Sequence, residues 1–479
     1  MARVFISATH KSSGKTTVSI GLCAALHAQG LRVQPFKKGP DYIDPLWLGA
    51  ASARACHNLD FNTMTADEII HTVQRYSLDA DIALIEANKG LYDGMALDGS
   101  DSNAAIAKLT RSPVILVVDS RGMTRGIAPL LLGYQAFDRE INIAGIIFNR
   151  VGGARHASKL RESVEYYTDI KVLGAVQDNP EMAIEERHLG LMPSNESGEA
   201  EAQIARIRDL VAEQVDLGGV REIAANAVPL TPPAPSPSRG EGEQEKNLLA
   251  PLPLRERGWG EGFLKIGICQ DPSFGFYYPG DLEALQQAGA ELVPVNTLKD
   301  AALPEIDGLF IGGGFPETHM QQLAANVSMR ESIRAAIDNG LPTYAECGGL
   351  MYLSRSLVWN GQQAEMVGVI PGDAVMHKKP QGRGYVKLQE TADMPWPGGD
   401  GNAIINAHEF HYSRLENLTA QGKFAYRMQR GTGIDGQYDG WIYRNLLASY
   451  THMRDTAQFR WAQRFVEFIR LNSTRKLTS

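Results

Sequence analysis

Short apolar runs rich in β-branched residues recur through the first part of the chain. They fall at Arg3–Ala8, Arg32–Phe36, Ile82–Glu86, Pro113–Asp119, Ile143–Asn149 and Lys171–Val176. Stretches of helical periodicity separate them, including Thr16–Gln29 and Gly126–Phe137. Apolar strands alternating with helices predict a mostly parallel sheet covered on both faces. The pattern stops near Pro229. From there to Gly262 proline, glycine, serine and charge dominate without usable periodicity, which predicts a disordered linker. A second α/β pattern follows, with strands at Lys265–Gln270, Glu291–Val295, Gly308–Gly312 and Leu341–Ala345. Helices are expected at Pro279–Gln287 and Met329–Asn339. From Tyr385 the text is richer in Gly and turn residues, and it closes in an amphipathic helix near Thr456–Leu471. The predicted organisation is therefore an α/β domain over 1–228, a linker over 229–262 and a second α/β domain over 263–479.

Composition narrows the class. Apolar residues at 43% suffice for two buried cores, and 55 acidic against 47 basic side chains give a net charge of -8. That balance argues against a nucleic-acid partner, so an anionic ligand must be held by a local cluster. Cys23, Cys56, Cys269 and Cys347 are widely spaced with no CxxC pair, which predicts free thiols and a cytoplasmic setting. No apolar run reaches membrane-spanning length, and the first strand leaves no room for a signal peptide.

Two places carry chemistry. Thr9-His10-Lys11-Ser12-Ser13-Gly14-Lys15-Thr16-Thr17 is a Walker A loop with threonine at its first position, set between a strand and a helix. Backbone N–H groups, the Lys15 ammonium and the Thr16 hydroxyl suit a nucleotide's phosphates and Mg²⁺. Magnesium needs further oxygens: Asp41 and Asp44 follow the second predicted strand, Glu86 ends the third and Asp93 lies seven residues on, at the edge where ligands bind. Thr16, Asp41 and Glu86 are the expected metal ligands, and Asn149 at another strand end is a candidate for reading adenine. Lys11, Lys37, Arg121, Arg125 and Arg155 are nearby cations for a substrate bearing several carboxylates.

The second place is Tyr344-Ala345-Glu346-Cys347-Gly348-Gly349-Leu350, a nucleophile elbow with cysteine in the attacking position. The helix behind it is expected to lower the thiol pKa. Gly313 and Gly314 close an earlier strand and, with Gly348, are the expected oxyanion donors. Of His319, His377, His408, His411 and His452, the last ends a strand far along the chain and suits the base.

The ordered set of variant P-loop, Lys37-Lys38-Gly39-Pro40-Asp41-Tyr42-Ile43-Asp44-Pro45, Gly90-Leu91-Tyr92-Asp93-Gly94 and Glu346-Cys347-Gly348-Gly349 resembles the cobyrinate a,c-diamide synthase family over nearly the whole chain except the linker. The resemblance implies a dethiobiotin-synthetase-like ATP domain followed by a class I-type glutamine amidotransferase domain. It implies catalytic Cys347 assisted by His452, and a synthetase site holding Asp41, Asp44, Glu86 and Asp93. It further implies ATP, Mg²⁺ and glutamine used to amidate carboxylates of cobyrinate or a related tetrapyrrole, and it leaves a homodimer open. Glu86-Ala87-Asn88-Lys89-Gly90 also resembles relatives acting on sirohaem, which keeps the chemistry and changes the macrocycle. A reading from another class is a P-loop switch or scaffold with an inert second half; the intact Cys347 and His452 pair speaks against it.

Overall fold

The computed structural model describes residues 1–187, 190–196, 198–230, 264–399, 401–419 and 422–473. The linker expected at 229–262 lies, apart from its first two residues, outside the described residues.

The first half is built on seven parallel strands, β1 (Arg3–Ala8), β2 (Val33–Lys38), β3 (His57–Leu59), β4 (Ile82–Gly90), β5 (Val114–Asp119), β6 (Ile143–Val151) and β7 (Lys171–Gln177). Their order in the sheet is β3-β2-β4-β1-β5-β6-β7. Strands β1, β2 and β5 are buried along their whole length, as expected of strands covered on both faces. Helix α1 (Lys15–Ala28) lies over one face and is buried along most of its length. It approaches helix Ala200–Gln214 so closely that a Cβ on Gly21 would stand 2.4 Å from the Val211 side chain, so only glycine fits there. Helix α2 (Ile43–Ser52) follows β2 and packs in the same core.

The second half carries a nine-stranded mixed sheet. Its parallel part runs Ala290–Val295, Leu264–Cys269, Gly308–Ile311, Thr343–Glu346 and Leu446–Ser449. Four antiparallel strands continue it, Tyr438–Tyr443, Lys423–Arg430, Gly382–Glu390 and Ile404–His411. A four-stranded sheet formed by 354–359, 362–365, 370–376 and 413–416 stands beside it. Most of this antiparallel structure goes beyond the sequence expectation. Exposed positions interrupt the buried ones in Gly382–Glu390 and Lys423–Arg430, so these strands lack the apolar runs that mark strands buried on both faces. The last helix begins at Trp461 rather than Thr456, because Thr456 and Phe459 first close a turn through paired backbone hydrogen bonds of 3.2 and 3.1 Å.

The halves are packed together. Phe276 and Phe315 of the second half belong to the core that covers α1 and α2. Tyr385 donates to Asp60 at 2.7 Å, Asn62 to the Ala407 carbonyl at 3.1 Å, and Tyr76 to Glu283 at 2.7 Å. All four cysteines are buried and unpaired. Among the described residues no helix is long and apolar enough to cross a membrane.

Candidate active site

The loop after β1 reaches Lys15 through a left-handed Gly14 (φ 82°). A Cβ on Gly14 would lie 2.0 Å from the Asn149 amide nitrogen, which explains the glycine. Asn149 donates to the Ser13 carbonyl at 2.9 Å, and Arg150 to the Ser12 carbonyl at 2.9 Å, so the end of β6 fastens the loop. Asn149 is thus placed beside the loop and holds its backbone. Thr17 is half-buried in the first turn of α1.

At the sheet edge a charged cluster closes over this loop. The Lys15 ammonium lies 2.6 Å from Glu86 Oε1, and the Thr16 hydroxyl bridges Glu86 at 2.8 Å and Asp44 at 3.1 Å. Lys37, 1% exposed, pairs with Asp44 and stands 3.3 Å from Glu86 and 3.6 Å from Asp41. Burial pushes Lys15 below its ordinary pKa, with Glu86 restoring part of the loss. Burial also opposes charge on Lys37, but Asp44 and Glu86 outweigh it and hold that ammonium well above the usual range. Burial would raise Asp44 as well; Lys37 and Lys15 reverse this and keep its carboxyl low. Asp41 is pushed up to about 6 by burial and then by Asp44. One Asp41 oxygen caps α2, accepting from Ile43 N–H at 2.9 Å and Asp44 N–H at 3.1 Å. Asp93 stands apart from the cluster and accepts from Gly90 N–H at 3.0 Å. Lys37 is therefore the buried centre of the acidic cluster rather than a surface cation awaiting substrate. Arg121 is paired with Asp119 and Arg125 lies over the Tyr167 ring.

Magnesium fits this donor set. Glu86 Oε2 is buried with no hydrogen-bond partner, and the Thr16 hydroxyl already bridges two carboxylates. Among the described residues no group of three or more His, Cys, Asp or Glu side chains could hold a metal by itself.

The second site is geometric. Cys347 sits at φ 47°, ψ −98° between strand Thr343–Glu346 and helix Gly348–Leu353, a strained conformation for a side chain-bearing residue. Its N–H donates to the Ser449 carbonyl at 2.7 Å, tying the elbow to the neighbouring strand. A Cβ on Gly348 would lie 2.9 Å from the Gly314 nitrogen, and one on Gly313 would lie 2.6 Å from His452 Cε1. The elbow, the glycine turn and His452 are thus brought together. Burial pushes the Cys347 thiol up, with Glu317 and Glu346 adding to it. This differs from the expected lowering: the helix behind the elbow has only six residues, and its N-terminal end cannot offset the desolvation.

Sequence reasoning passed over Glu346. Its carboxylate faces His452 Nδ1 at 3.3 Å and is fixed by Tyr344 O–H at 2.6 Å and Met453 N–H at 2.8 Å. The signal was its place next to the nucleophile at the end of a buried strand. Asp439, also passed over, accepts from Tyr450 and Thr451 N–H at 3.0 and 2.9 Å and shapes the turn before His452. His411 stacks on Tyr450, His377 faces Glu416, and His408 stacks on His452.

A P-loop half and a half with a cysteine elbow, packed against each other, define a glutamine amidotransferase coupled to a nucleotide-binding domain. Residues 4–191 match the CobQ/CobB/MinD/ParA nucleotide binding domain, and residues 265–457 match the CobB/CobQ-like glutamine amidotransferase domain. The chain is 44% identical to a cobyrinate a,c-diamide synthase of Magnetococcus marinus, covering 98% of this chain and 97% of that one. Those of Methanosarcina acetivorans and Methanosarcina barkeri are 40% and 39% identical, covering 97% and 98% of this chain and 95% and 96% of theirs. The chain belongs to the cobyrinate a,c-diamide synthase family, which makes it a ligase.

Proposed function

We propose that the protein amidates the a and c carboxylates of cobyrinate, using ATP and ammonia cut from glutamine. The observation that carries this reading is that the Cys347 elbow and the Lys15–Thr16–Glu86 cluster face one interface, joined through the segment Asp41–Asp44. We assign the synthetase domain to 1–228 and the amidotransferase domain to 263–479, and place the enzyme in the cytoplasm.

Cys347 adds through sulfur to the glutamine carboxamide carbon, its proton passing to His452. The oxyanion is met by N–H groups of Gly313, Gly314 and Gly348. Collapse breaks the C–N bond, His452 returns the proton to departing ammonia, and water frees glutamate from the thioester. Glu346 holds the imidazole with its Nδ1 side fixed.

In the other half Gly14, Lys15, Thr16 and Thr17 receive the phosphates of ATP, with Asn149 holding the loop. Thr16, Glu86 and Asp41 would hold Mg²⁺, with Asp44 beside them; bound there, the ion supplies charge neutralisation on the phosphates. A substrate carboxylate oxygen attacks the γ-phosphorus, ADP leaves, and the acyl phosphate is taken by ammonia with release of phosphate. A Cβ on Gly90 would lie 2.8 Å from both Asp93 and the Thr9 carbonyl, which supports a place for Asp93 beside the start of the P-loop.

The test is turnover with ATP, Mg²⁺ and glutamine, offering cobyrinate and sirohaem side by side and reading products by mass. Two successive acid-to-amide exchanges on cobyrinate are expected. Amidation of sirohaem alone would move the protein to that macrocycle; no product and no glutamate would leave a nucleotide-binding switch.

A further inference from the structure

Strand β2 ends in two lysines, and the pleat sends them to opposite faces of the sheet. Lys37 enters the P-loop cluster, where it meets Asp44 and Glu86. Lys38 turns the other way and is 6% exposed, and its ammonium donates to the Asp101 backbone carbonyl at 2.6 Å. Among the described residues it forms no ion pair, so the protein takes up one of its three N–H donors. Burial pushes its pKa down, and Asp60 and Asp101 restore only part of the loss. Lys89, the next-to-last residue of β4, is exposed and near enough to add to that lowering. Two cations thus gather on this side of the sheet edge, one of them shielded from water.

The carbonyl that holds Lys38 belongs to the loop leaving β4. Leu91 N–H donates to the Ala8 carbonyl at 2.8 Å, so this loop starts beside the P-loop. The Asp101 carboxylate accepts from Met95 N–H at 2.9 Å and Ala96 N–H at 3.0 Å. Gly99 N–H donates to the Ala96 carbonyl at 3.1 Å, closing a turn with Leu97 at its tip. Met95 is 56% exposed and Leu97 wholly so. Asp98 is folded back on Ser100, accepting from its N–H at 3.0 Å and its hydroxyl at 2.7 Å. Asp101 therefore holds a shielded ammonium through its carbonyl and an apolar tip through its carboxylate. Single exposed apolar side chains are common. Here two of them, one residue apart, crown a pinned turn beside cations and the phosphate loop. A flat apolar ring carrying carboxylates on its rim has the complementary chemistry. We propose that Lys38 and the 91–101 loop seat the tetrapyrrole, its ring face on Met95 and Leu97 and a non-reacting rim carboxylate on Lys38. This rests on the amidation reading above. Because Lys37 and Lys38 are adjacent, a macrocycle anchored at Lys38 keeps its other carboxylates at the edge where the P-loop cluster lies.

The test uses the full chain and titrates cobyrinate and sirohaem by their visible absorbance, with KM for macrocycle, ATP and glutamine read in turnover. Leu97→Ser, Leu97→Met, Lys38→Met and Lys38→Arg are compared with the parent. Leu97→Ser should weaken macrocycle binding about tenfold, the scale of one leucine side chain removed from an apolar contact, and Leu97→Met should restore it. Lys38→Met should weaken it by about tenfold to a hundredfold, the scale of a charge-assisted hydrogen bond, and flatten its salt dependence. Lys38→Arg should recover most of that loss. The change should appear in KM for the macrocycle, with KM for ATP and glutamine near the parent values. Leu97 is fully exposed, so its replacement takes nothing from the core. Parental affinity in Leu97→Ser or in Lys38→Met would overturn the proposal. An equal rise in KM for ATP or glutamine would overturn it too, since the loss would then lie in the fold. A parent that binds sirohaem and not cobyrinate sinks the substrate reading alone, because the same variants then read the seat on sirohaem. A parent that binds neither removes the seat together with that reading.

Discussion

The two sites lie across one interface and are built on opposite principles. At the P-loop, three carboxylates (Asp41, Asp44, Glu86) face two ammoniums (Lys15, Lys37), with Lys15, Lys37 and Glu86 buried, and the opposite charges offset most of one another. At the elbow burial, with Glu317 and Glu346, keeps the thiol neutral, Glu346 faces His452, and the backbone is held at φ 47°. The first site stores its readiness as electrostatics, in the contacts that Lys15, Lys37 and Thr16 make with Glu86 and Asp44. The second stores it as geometry, with glycines admitting a close approach that any Cβ would block. A charged ligand needs prearranged charge, whereas a neutral carboxamide needs a nucleophile and donors at fixed positions.

If that division holds, the halves separate by nitrogen source. Cys347→Ala should cut glutamine-dependent amidation by about 10⁴-fold or more, the usual cost of losing a nucleophile, and leave ammonium-supported amidation working. Loss of both would break the comparison, since the elbow would then be needed where no glutamine is cut. Lys15→Ala should remove both by about 10³-fold, the scale of losing a main electrostatic contact to the transition state. Ammonium-supported product from that variant would take the loop out of the chemistry. Glu346→Gln is subtler: the amide still accepts from Met453 N–H but no longer presents a charge to His452. Glutaminase kcat should fall by about 10²-fold. A matching fall with ammonium would show that Glu346 acts on the fold as a whole.

How far the sequence disclosed this follows the same division. Six of the seven parallel strands of the first half were legible because both faces are buried, and β1 coincides with the expected Arg3–Ala8; β3, three residues long, is too short to leave a pattern. Gly14, Lys15 and Thr16 were legible because backbone and phosphate chemistry need those residues at that spacing. The antiparallel strands from Gly382 to Tyr443 were not, since exposed and half-buried positions break up their buried ones and leave no long apolar run. Lys37 was expected as a cation for the substrate, and its burial was not legible because it depends on strands β2 and β4 bringing it beside Glu86, a pairing of residues far apart in sequence. Tyr42 carries no local mark: beside Pro40 and Asp41 it reads as an ordinary turn aromatic, and only the docking of the halves sets it against His452.

That docking supplies the smallest expected effect. His57 begins β3 and stacks on Tyr76 with centroids 3.5 Å apart, close to Arg454 of the second half, which donates to the Asn58 carbonyl at 2.5 Å. Burial, and then Arg454, hold its pKa down to about 3, from an ordinary 6.5. The folded chain thus refuses a proton that the unfolded chain accepts between those values. The stability lent by the neutral imidazole is complete above pH 6.5 and drains as pH falls towards 3, by about 1.4 kcal/mol per unit. At pH 5 the loss is about 2 kcal/mol. His57→Phe keeps the ring stack and removes the titration, so thermal unfolding of parent and variant should diverge between pH 7 and pH 5, with the parent losing more. Parallel loss would mean that His57 takes up its proton in place, and the contact between the halves would then be as tolerant of charge as the P-loop cluster rather than as averse to it as the elbow.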